Sequence, residues 1–393
     1  MRPEYRLRLP GPTAVPERVR RALATPVLNH RGPEFSHGVK EVQSSLQEII
    51  GTANSILFFA ASGTGVMEAS LVNTLAPQEK VLLASNGQFA ERFGAIARAQ
   101  GLRVDTVDVP WGEAVDPAVL ATRLSEVDYQ ALVVIHNESS TGAVADLQAI
   151  GALVRDEPTL LIVDSVSGLG GIEMRQDAWG IDILVSASQK ALMCPPGLGL
   201  VSVSEKAWNV IDGDRPRTTF YWDFRKARDN AVNGQTAFTP AVSLLAGLQE
   251  ALRMMGEEGL PDVLARHERL SAALHAGGTA LGLPVFTTAP IRSNTVAVLQ
   301  VPEGRDGAPV VRHMYERYGS VIAGARNKLQ GKVIRFGTMG HIHEADILTD
   351  LVHLENTMRD LGWPVTLGAG VEAARESLRS SCQPDAASRR ALG

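Results

Sequence analysis

Cysteine is scarce in this chain of 393 residues, which has two thiols, Cys194 and Cys382. Two cysteines provide neither the spacing of a metal site nor a disulfide framework, and this usage is typical of a reducing compartment. The sequence also lacks an apolar run long enough to span a bilayer, and its first residues lack the apolar core of a signal peptide. We therefore expect a cytoplasmic protein with no membrane partner.

An excess of positive charge is also absent, since the net charge is −5. The chain therefore has no basic footprint that would indicate a nucleic-acid partner. Hydrophobic residues make up 45% of the chain and charged residues 21%, which is typical of soluble globular proteins with a large core. The length allows two or three domains, and we find no internal repeat.

From Ser55 onwards the sequence repeats a pattern of apolar strand, small-residue turn and helix, which predicts an α/β fold. The runs that we expect to be strands are 56–60, 81–84, 103–109, 131–135, 160–164, 181–185 and, antiparallel, 197–203. Outside them we expect helices 16–24, 36–50 with Ser36 as its N-cap, 241–255, 260–281, 308–318 and 343–361, and strands 295–298, 321–323 and 332–336. The Ser-, Ala- and Arg-rich stretch from Arg379 predicts a flexible tail.

Lys190 follows one apolar strand, and Asp164 is the last residue of another. A lysine has an ordinary pKa of about 10.4 and is a poor nucleophile at neutral pH unless a desolvated or cationic pocket, or a covalent imine, keeps it neutral. A carboxylate at the end of a buried strand needs a positive partner. An imine-forming lysine with an aspartate facing a pyridinium nitrogen is typical of pyridoxal phosphate enzymes. Without the aspartate, a solvated loop lysine would be the better interpretation.

The turn Ser62-Gly63-Thr64-Gly65, which we call the phosphate cup, lies between a strand and a helix. Such a turn directs backbone N–H groups, hydroxyls and the helix dipole towards an anion, although small-residue turns also serve packing alone. It is not a Walker A loop, because the Gly-Lys-Ser/Thr sequence is missing. It is not a dinucleotide fingerprint either, because Glu68 occupies the third glycine position.

Phe89 and Ser139 follow two other predicted strands. The Phe89 ring is placed either to stack on a flat cofactor or to cap the core. Ser139 belongs to the polar run 136–142, at the strand end where ligands bind in open α/β sheets. It is a candidate hydrogen-bond donor to the cofactor.

Thr236 and Thr239 precede the helix that we expect from Ala241. They are placed to bind an anion at this helix N-terminus, and the alternative is that Thr239 is a simple N-cap. Arg335 lies in a strand among apolar neighbours, where a guanidinium is costly without an anion such as a substrate carboxylate.

A second cation would be needed for a donor such as aspartate. The candidates for it are Arg31, Arg326 and Lys328. His341 and His343 form a close pair, but we expect no metal site there because the sequence offers no third ligand.

Taken together, these motifs resemble those of class V aminotransferases of fold type I, most closely the alanine-, serine- and aspartate-glyoxylate branch. The resemblance covers the chain from Pro10-Gly11-Pro12 to about Ala374. Its motifs are Ser62-Gly63-Thr64-Gly65, Asn86-Gly87, His136-Asn137-Glu138-Ser139-Ser140-Thr141-Gly142, Asp164-Ser165-Val166, Ser188-Gln189-Lys190, Phe238-Thr239-Pro240 and Gly331-Lys332-Val333-Ile334-Arg335.

The resemblance implies a role for each site residue. Lys190 would be the Schiff-base lysine, Asp164 the partner of the pyridine nitrogen, and Arg335 the ligand of the substrate carboxylate. The residues implied in cofactor binding are Ser62, Gly63, Thr64 and Gln189 at the phosphate, Ser139 at the ring hydroxyl, Phe89 and Val166 on the two ring faces, and Thr236 and Thr239 from the other subunit of a homodimer.

The resemblance also implies a mostly parallel seven-stranded sheet and a smaller C-terminal α/β domain. We expect an N-terminal segment at 1–20, a large pyridoxal phosphate-binding domain at 21–260, a small domain at 261–378 and a flexible tail at 379–393.

The expected reaction is transamination from serine, alanine or aspartate to glyoxylate or pyruvate through Lys190. A cysteine desulfurase, which shares the fold, needs a mobile-loop cysteine that this chain does not provide. A pyridoxamine-pyruvate aminotransferase, an epimerase and a lyase remain alternatives. A further alternative is a non-catalytic accessory protein. The three charged residues Lys190, Asp164 and Arg335 argue against it.

Overall fold

The structure is a computed structural model that describes residues 5–214 and 219–381. The helices are α1 (Glu17–Leu23), α2 (Pro33–Ile50), α3 (Gly63–Thr74), α4 (Gln88–Ala99), α5 (Pro117–Glu126), α6 (Leu147–Ala152), α7 (Gln176–Trp179), α8 (Glu205–Asp212), α9 (Phe224–Ala231), α10 (Val242–Glu258), α11 (Leu260–Ala280), α12 (Ala308–Tyr318), α13 (Glu344–Asp360) and α14 (Ala369–Ser381). The strands are β1 (Arg6–Leu7), β2 (Ile56–Ala61), β3 (Lys80–Ser85), β4 (Arg103–Asp108), β5 (Ala131–Ile135), β6 (Asn137–Glu138), β7 (Ala143–Val144), β8 (Leu160–Asp164), β9 (Ile183–Ala187), β10 (Gly197–Val203), β11 (Val296–Gln300), β12 (Ser320–Val321), β13 (Ala323–Gly324) and β14 (Val333–Gly337).

A seven-stranded sheet forms the centre of the larger region, in the order β2-β10-β9-β8-β5-β3-β4. The strands from β9 to β4 run parallel, whereas β10 is antiparallel to both of its neighbours. Every residue of β5, β8 and β9 is buried, because hydrophobic clusters cover both faces of the sheet. The predicted α/β fold with a mostly parallel sheet is confirmed, as is the antiparallel strand β10.

The sheet itself brings the two principal candidate residues to one edge. Asp164 ends β8, and it is paired in register with Val185 of the neighbouring strand β9. Lys190 follows the end of β9. Because parallel strands end at the same edge of a sheet, both side chains start from the carboxyl edge.

The C-terminal region is built on a three-stranded antiparallel sheet in the order β11-β14-β13. Its hydrophobic cluster joins this sheet to α11, α12, α13 and α14. The first strand of the chain, β1, pairs with β12 in parallel. The N-terminal segment thus contributes a strand to the C-terminal region.

Some predicted boundaries differ from the structure. Helix α2 begins at Pro33 with Gly32 as its N-cap, so the predicted N-cap, Ser36, lies inside the helix; a proline fits the first helical position, where its missing N–H is not needed. Helix α14 was not predicted, and it includes Arg379, the first residue of the predicted tail. Residues 382–393, the rest of that tail, lie outside the described residues.

Within residues 5–214 and 219–381, we find no helix that combines the length and the apolar character needed to cross a lipid bilayer.

Candidate active site

Lys190 is buried, with 8% of the residue exposed, and its surroundings include a segment that the sequence analysis did not assign to the site. We call this segment, residues 8–13, the N-terminal strap. The Lys190 ammonium donates to the carbonyl oxygen of Pro10, and Thr13 Oγ1 donates to the Lys190 carbonyl at 3.0 Å. Gly11, at φ 109°, lies so close that a Cβ there would overlap the Lys190 side chain. The strap is therefore one wall of the lysine site.

Burial shifts the pKa values of Lys190 and Asp164 in opposite directions. Desolvation lowers the pKa of Lys190 to about 8, although the Asp164 charge opposes this shift. Desolvation also raises the pKa of Asp164 to about 6, although the Val166 N–H, which donates to its Oδ1 at 2.8 Å, favours the carboxylate. A lysine with a lowered pKa has more of the neutral amine that acts as a nucleophile.

The phosphate cup lies against the Asp164 loop. Ser62 is the N-cap of α3 and makes no side-chain capping bond, so its hydroxyl is not used by the helix. A Cβ at Gly63 would come within 2.8 Å of Val166 Cγ2, and one at Gly65 within 2.9 Å of Trp222. The close approach of the helix start to Val166 requires glycine. The structure thus brings the cup next to Asp164, two residues before Val166.

Glu138 is a site residue that the sequence analysis did not single out. It is fully buried, and its Oε2 accepts from the N–H groups of Phe89 at 2.9 Å and Ala90 at 3.1 Å. Its Oε1 accepts from the N–H and the hydroxyl of Ser140 at 3.0 and 2.6 Å. One carboxylate therefore fixes the start of α4, which carries Phe89, to the loop that carries Ser139. The available signal was a lone carboxylate in the polar run at the end of a buried strand.

Arg335 lies in β14, and its bonds go to neutral oxygens. Its Nη1 donates to the Ser139 carbonyl at 2.9 Å, and its Nε and Nη2 donate to the Gly324 carbonyl at 3.0 and 2.7 Å. Burial lowers the pKa of Arg335, and the Glu138 charge opposes that shift. Among the described residues, no carboxylate lies within ion-pair distance of Arg335, so a substrate carboxylate is a fitting partner.

Thr236 and Thr239 are not brought to Lys190 within one chain. Both line a small cavity beside Phe58 and Leu198, and Thr236 Oγ1 donates to the Phe238 carbonyl at 2.7 Å. In the described part of the chain, neither threonine forms a hydrogen bond with the residues around Lys190. The alternative that Thr239 is an N-cap is wrong, because α10 begins at Val242 with Ala241 as its N-cap.

The three candidate cations for a second substrate charge differ in their partners. Lys328 forms an ion pair with Glu91 at 3.0 Å. Arg31 donates to the Thr236 carbonyl at 3.0 Å, so its side chain lies next to Thr236. Arg326 is exposed, and its charge contributes to the lowered pKa of Arg335, so it lies within electrostatic range of that guanidinium.

His341 and His343 lie edge to face, with ring centroids 4.7 Å apart. Across residues 5–214 and 219–381, no group of three His, Cys, Asp or Glu side chains is arranged to hold a metal ion.

The residues present fit pyridoxal phosphate. An amine, a buried carboxylate and an aromatic ring are available for its aldehyde, its ring nitrogen and its ring face. The Gln189 side-chain oxygen and both polar atoms of the Asn86 amide are buried without a hydrogen-bond partner among the described residues. Such orphaned groups are costly unless a ligand or water satisfies them.

Comparison with known proteins gives consistent matches over nearly the whole chain. The Soluble hydrogenase 42 kDa subunit of Anabaena cylindrica is 37% identical over 374 residues, which cover 94% of this chain and 97% of that protein. The L-aspartate–glyoxylate aminotransferase of Paracoccus denitrificans is 35% identical over 384 residues, which cover 95% and 96%. The solved structure of ureidoglycine-glyoxylate aminotransferase from Bacillus subtilis has a TM-score of 0.91 at 30% identity and covers 96% of this chain and 99% of that chain.

The family model described as Aminotransferase class-V matches residues 18–305. This match includes Lys190, Asp164 and the phosphate cup, and the full-length relatives extend the similarity past Arg335. The chain therefore belongs to the class V aminotransferases, enzymes of fold type I that depend on pyridoxal phosphate.

Proposed function

We propose that this enzyme transfers the amino group of a small α-amino acid to glyoxylate or pyruvate, with Lys190 as the catalytic lysine. The observation that carries the proposal is the buried Lys190 amine, whose pKa is lowered to about 8, at the same sheet edge as Asp164. When bound, pyridoxal phosphate supplies an electron-withdrawing ring that stabilises negative charge at the substrate α-carbon.

Each charged residue then has one task. Lys190 removes the proton from the substrate α-carbon as a general base and returns a proton as a general acid. Asp164 holds a proton at the ring nitrogen through its carboxylate. Arg335 binds the α-carboxylate, for which its guanidinium forms a bidentate pair.

The remaining site residues hold the cofactor in this proposal. Ser62, Gly63, Thr64 and Gln189 bind the phosphate, Ser139 binds the ring hydroxyl, and Phe89 and Val166 cover the ring faces. The close approach of Gly63 to Val166 supports this arrangement, because it places the phosphate cup next to a residue proposed to cover one face of the ring.

Of the two proposed acceptors we prefer glyoxylate, because the names of both the Paracoccus and the Bacillus relatives contain it. The donors in those names differ, and we keep serine, alanine and aspartate as the proposed donors. For aspartate, the exposed Arg326 is the proposed ligand of the second carboxylate.

We also propose a homodimer in which Thr236 and Thr239 bind the phosphate in the partner's site. An exposed aromatic surface supports this proposal, since Phe220 is 75% exposed and Tyr221 39% exposed, and Tyr221 stacks on Phe238 with ring centroids 5.3 Å apart. An apolar surface of this kind is typical of protein interfaces.

A half-reaction scan tests the reaction. The enzyme with pyridoxal phosphate is mixed singly with serine, alanine, aspartate and pyridoxamine, and its absorbance is followed. We expect one amino acid to convert the cofactor to its pyridoxamine form and glyoxylate or pyruvate to reverse the change. An epimerase or a lyase would not make this conversion, and a response to pyridoxamine with pyruvate alone would favour the pyridoxamine-pyruvate alternative.

Lys190→Ala is expected to retain pyridoxal phosphate binding and to lose turnover, because the proton-transfer group is removed. Lys80→Ala, at an exposed lysine at the start of β3, is the control. Turnover of Lys190→Ala near the wild-type rate would contradict the assignment.

A further inference from the structure

Arg92 is a half-buried residue near the start of α4 that the proposed function leaves without a task. Its Nη1 lies 3.4 Å from Thr64 Oγ1 of the phosphate cup. Its guanidinium carbon lies 4.8 Å from the centroid of the Phe89 ring. Arg92 thus contacts both a residue proposed to bind the phosphate and the residue proposed to stack on the cofactor ring.

Arg92 has no anionic partner in the described part of the chain. Other arginines of the molecule do: Arg18 lies 2.7 Å from Glu250, and Arg266 lies 2.6 Å from Glu258. A half-buried guanidinium without an anion loses hydration and gains little in return. The 3.4 Å separation from Thr64 is at the weak limit of a hydrogen bond, so this contact does not satisfy the charge.

The phosphate cup needs a cation. A phosphate monoester carries a charge of about −1.5 to −2 at pH 7, whereas Ser62, Gly63, Thr64 and Gln189 offer only neutral donors. The start of α3 contributes about half of a positive charge. The two other nearby cations, Lys190 and Arg335, have other tasks in the proposed function.

The Arg92 charge also reaches the centre of the site. It lowers the pKa of both Asp164 and Lys190, so its position is within electrostatic range of the cofactor site.

We propose that Arg92 binds the phosphate group of the cofactor and supplies its counter-charge. This inference rests on the proposed function, because it takes the phosphate cup as the phosphate site. The guanidinium turns from Thr64 Oγ1 to a phosphate oxygen of the ligand and stays beside the Phe89 ring, over which it lies in this structure. Charge-assisted bonds from arginine to phosphate are stronger than bonds between neutral groups.

The experiment compares the binding of pyridoxal phosphate and of pyridoxal, which lacks the phosphate, to cofactor-free enzyme by tryptophan fluorescence. Arg92→Gln and Arg92→Met remove the charge, and Arg92→Lys keeps it. The matched control is Arg98→Gln, since Arg98 is on the same helix and its Nη2 lies 3.4 Å from Thr106 Oγ1.

We expect Arg92→Gln to weaken pyridoxal phosphate binding by about 10- to 100-fold, the size of one charged hydrogen bond. Pyridoxal binding should stay nearly unchanged, Arg92→Lys should retain most of the affinity, and Arg98→Gln should match the wild type. If Arg92→Gln does not fold, Arg92→Met, which keeps an unbranched side chain without the charge, provides the same comparison.

Two results would overturn the inference: unchanged affinity for pyridoxal phosphate, or equal loss for both ligands, which would show a structural role only. If the wild type itself does not distinguish pyridoxal phosphate from pyridoxal, the phosphate cup assignment has failed, and that failure is separate from the failure of Arg92.

Discussion

At the scale of single residues, the site is governed by burial. Asp164 and Lys190 are buried beside each other, and desolvation brings the pKa of the acid up to about 6 and that of the base down to about 8. Burial therefore favours the neutral acid and the neutral amine in the cofactor-free enzyme. In the proposed function, the ring nitrogen of a bound cofactor would be the positive partner of Asp164.

The stability of the cofactor-free enzyme should depend on pH through Asp164. The pKa of Asp164 rises from 3.8 to about 6 on folding, so between these values the folded state binds more protons than the unfolded state. Its contribution to stability is present at acidic pH and is lost as the pH rises from about 4 to about 6. The asparagine of Asp164→Asn does not titrate. As the pH rises from about 4 to about 6, the free energy of unfolding of this variant should therefore increase relative to that of the wild type by about 1–3 kcal/mol.

Urea unfolding at closely spaced pH values measures this gain. Parallel curves for the wild type and Asp164→Asn between pH 4 and pH 6 would contradict the predicted shift.

At the scale of secondary structure, one carboxylate joins two elements of the site. Glu138 Oε2 satisfies two N–H groups at the start of α4, and Oε1 satisfies the loop after β6. Phe89, in the helix that follows β3, is therefore positioned by Glu138 of β6.

We predict that Glu138→Gln destabilises the enzyme. Each Glu138 oxygen accepts two hydrogen bonds, so replacing either oxygen by NH₂ sets donors against donors. The expected loss in the free energy of unfolding is about 1–3 kcal/mol. Ser140→Ala removes one bond to the same carboxylate and the acceptor of the Gln88 N–H, but it leaves both Oε2 bonds to α4 in place; it is the control and should lose less. Equal losses for the two variants would contradict the bridging role.

The sequence predicted those elements whose signal is local. The periodic run 308–318 coincides with α12, and the apolar runs at 131–135 and 160–164 are β5 and β8. The edge shared by Asp164 and Lys190 follows from parallel strands alone. Residues 369–381 gave no prediction of a helix, although α14 packs Val371 and Ala374 into the core.

Other parts of the site depend on contacts between residues distant in the chain. Nothing local in Pro10 or Gly11 predicts that they meet Lys190, since the contact depends on β1 pairing with β12. The carbonyl of Ser139 binding Arg335 is of the same kind. Arg92 was missed because an arginine on an amphipathic helix is usually solvated.

At the scale of the whole molecule, the N-terminal strap joins the two regions. Arg8 Nε donates to Asp350 Oδ2 of α13 at 2.6 Å, and both side chains are almost fully buried. The Gly337 N–H donates to the Arg8 carbonyl at 2.7 Å. We propose the large and small domains on either side of residue 260, and the break between α10 and α11 at Gly259 supports that boundary.

We predict that Asp350→Asn costs about 3–5 kcal/mol in the free energy of unfolding, because it leaves the Arg8 guanidinium buried without its counter-charge. Asp346→Asn, at a carboxylate that is 28% exposed, lies 3.2 Å from Arg6 and accepts from the His343 N–H at the start of α13, should cost less, about 0.5–2 kcal/mol. Urea midpoints measure both. A cost for Asp350→Asn no larger than that for Asp346→Asn would contradict the buried pair.

The strap also sets a mechanical relation between the two regions. Leu9 alone separates Arg8, held on α13, from Pro10, whose carbonyl oxygen accepts from Lys190. A chain of this length spans at most about 7 Å at full extension, so the two contacts lie close together along the backbone. Any rotation of the C-terminal region away from the central sheet therefore pulls on the hydrogen bond at the lysine. The position of the C-terminal region is thereby coupled through Arg8, Leu9 and Pro10 to the hydrogen bond of the Lys190 amine.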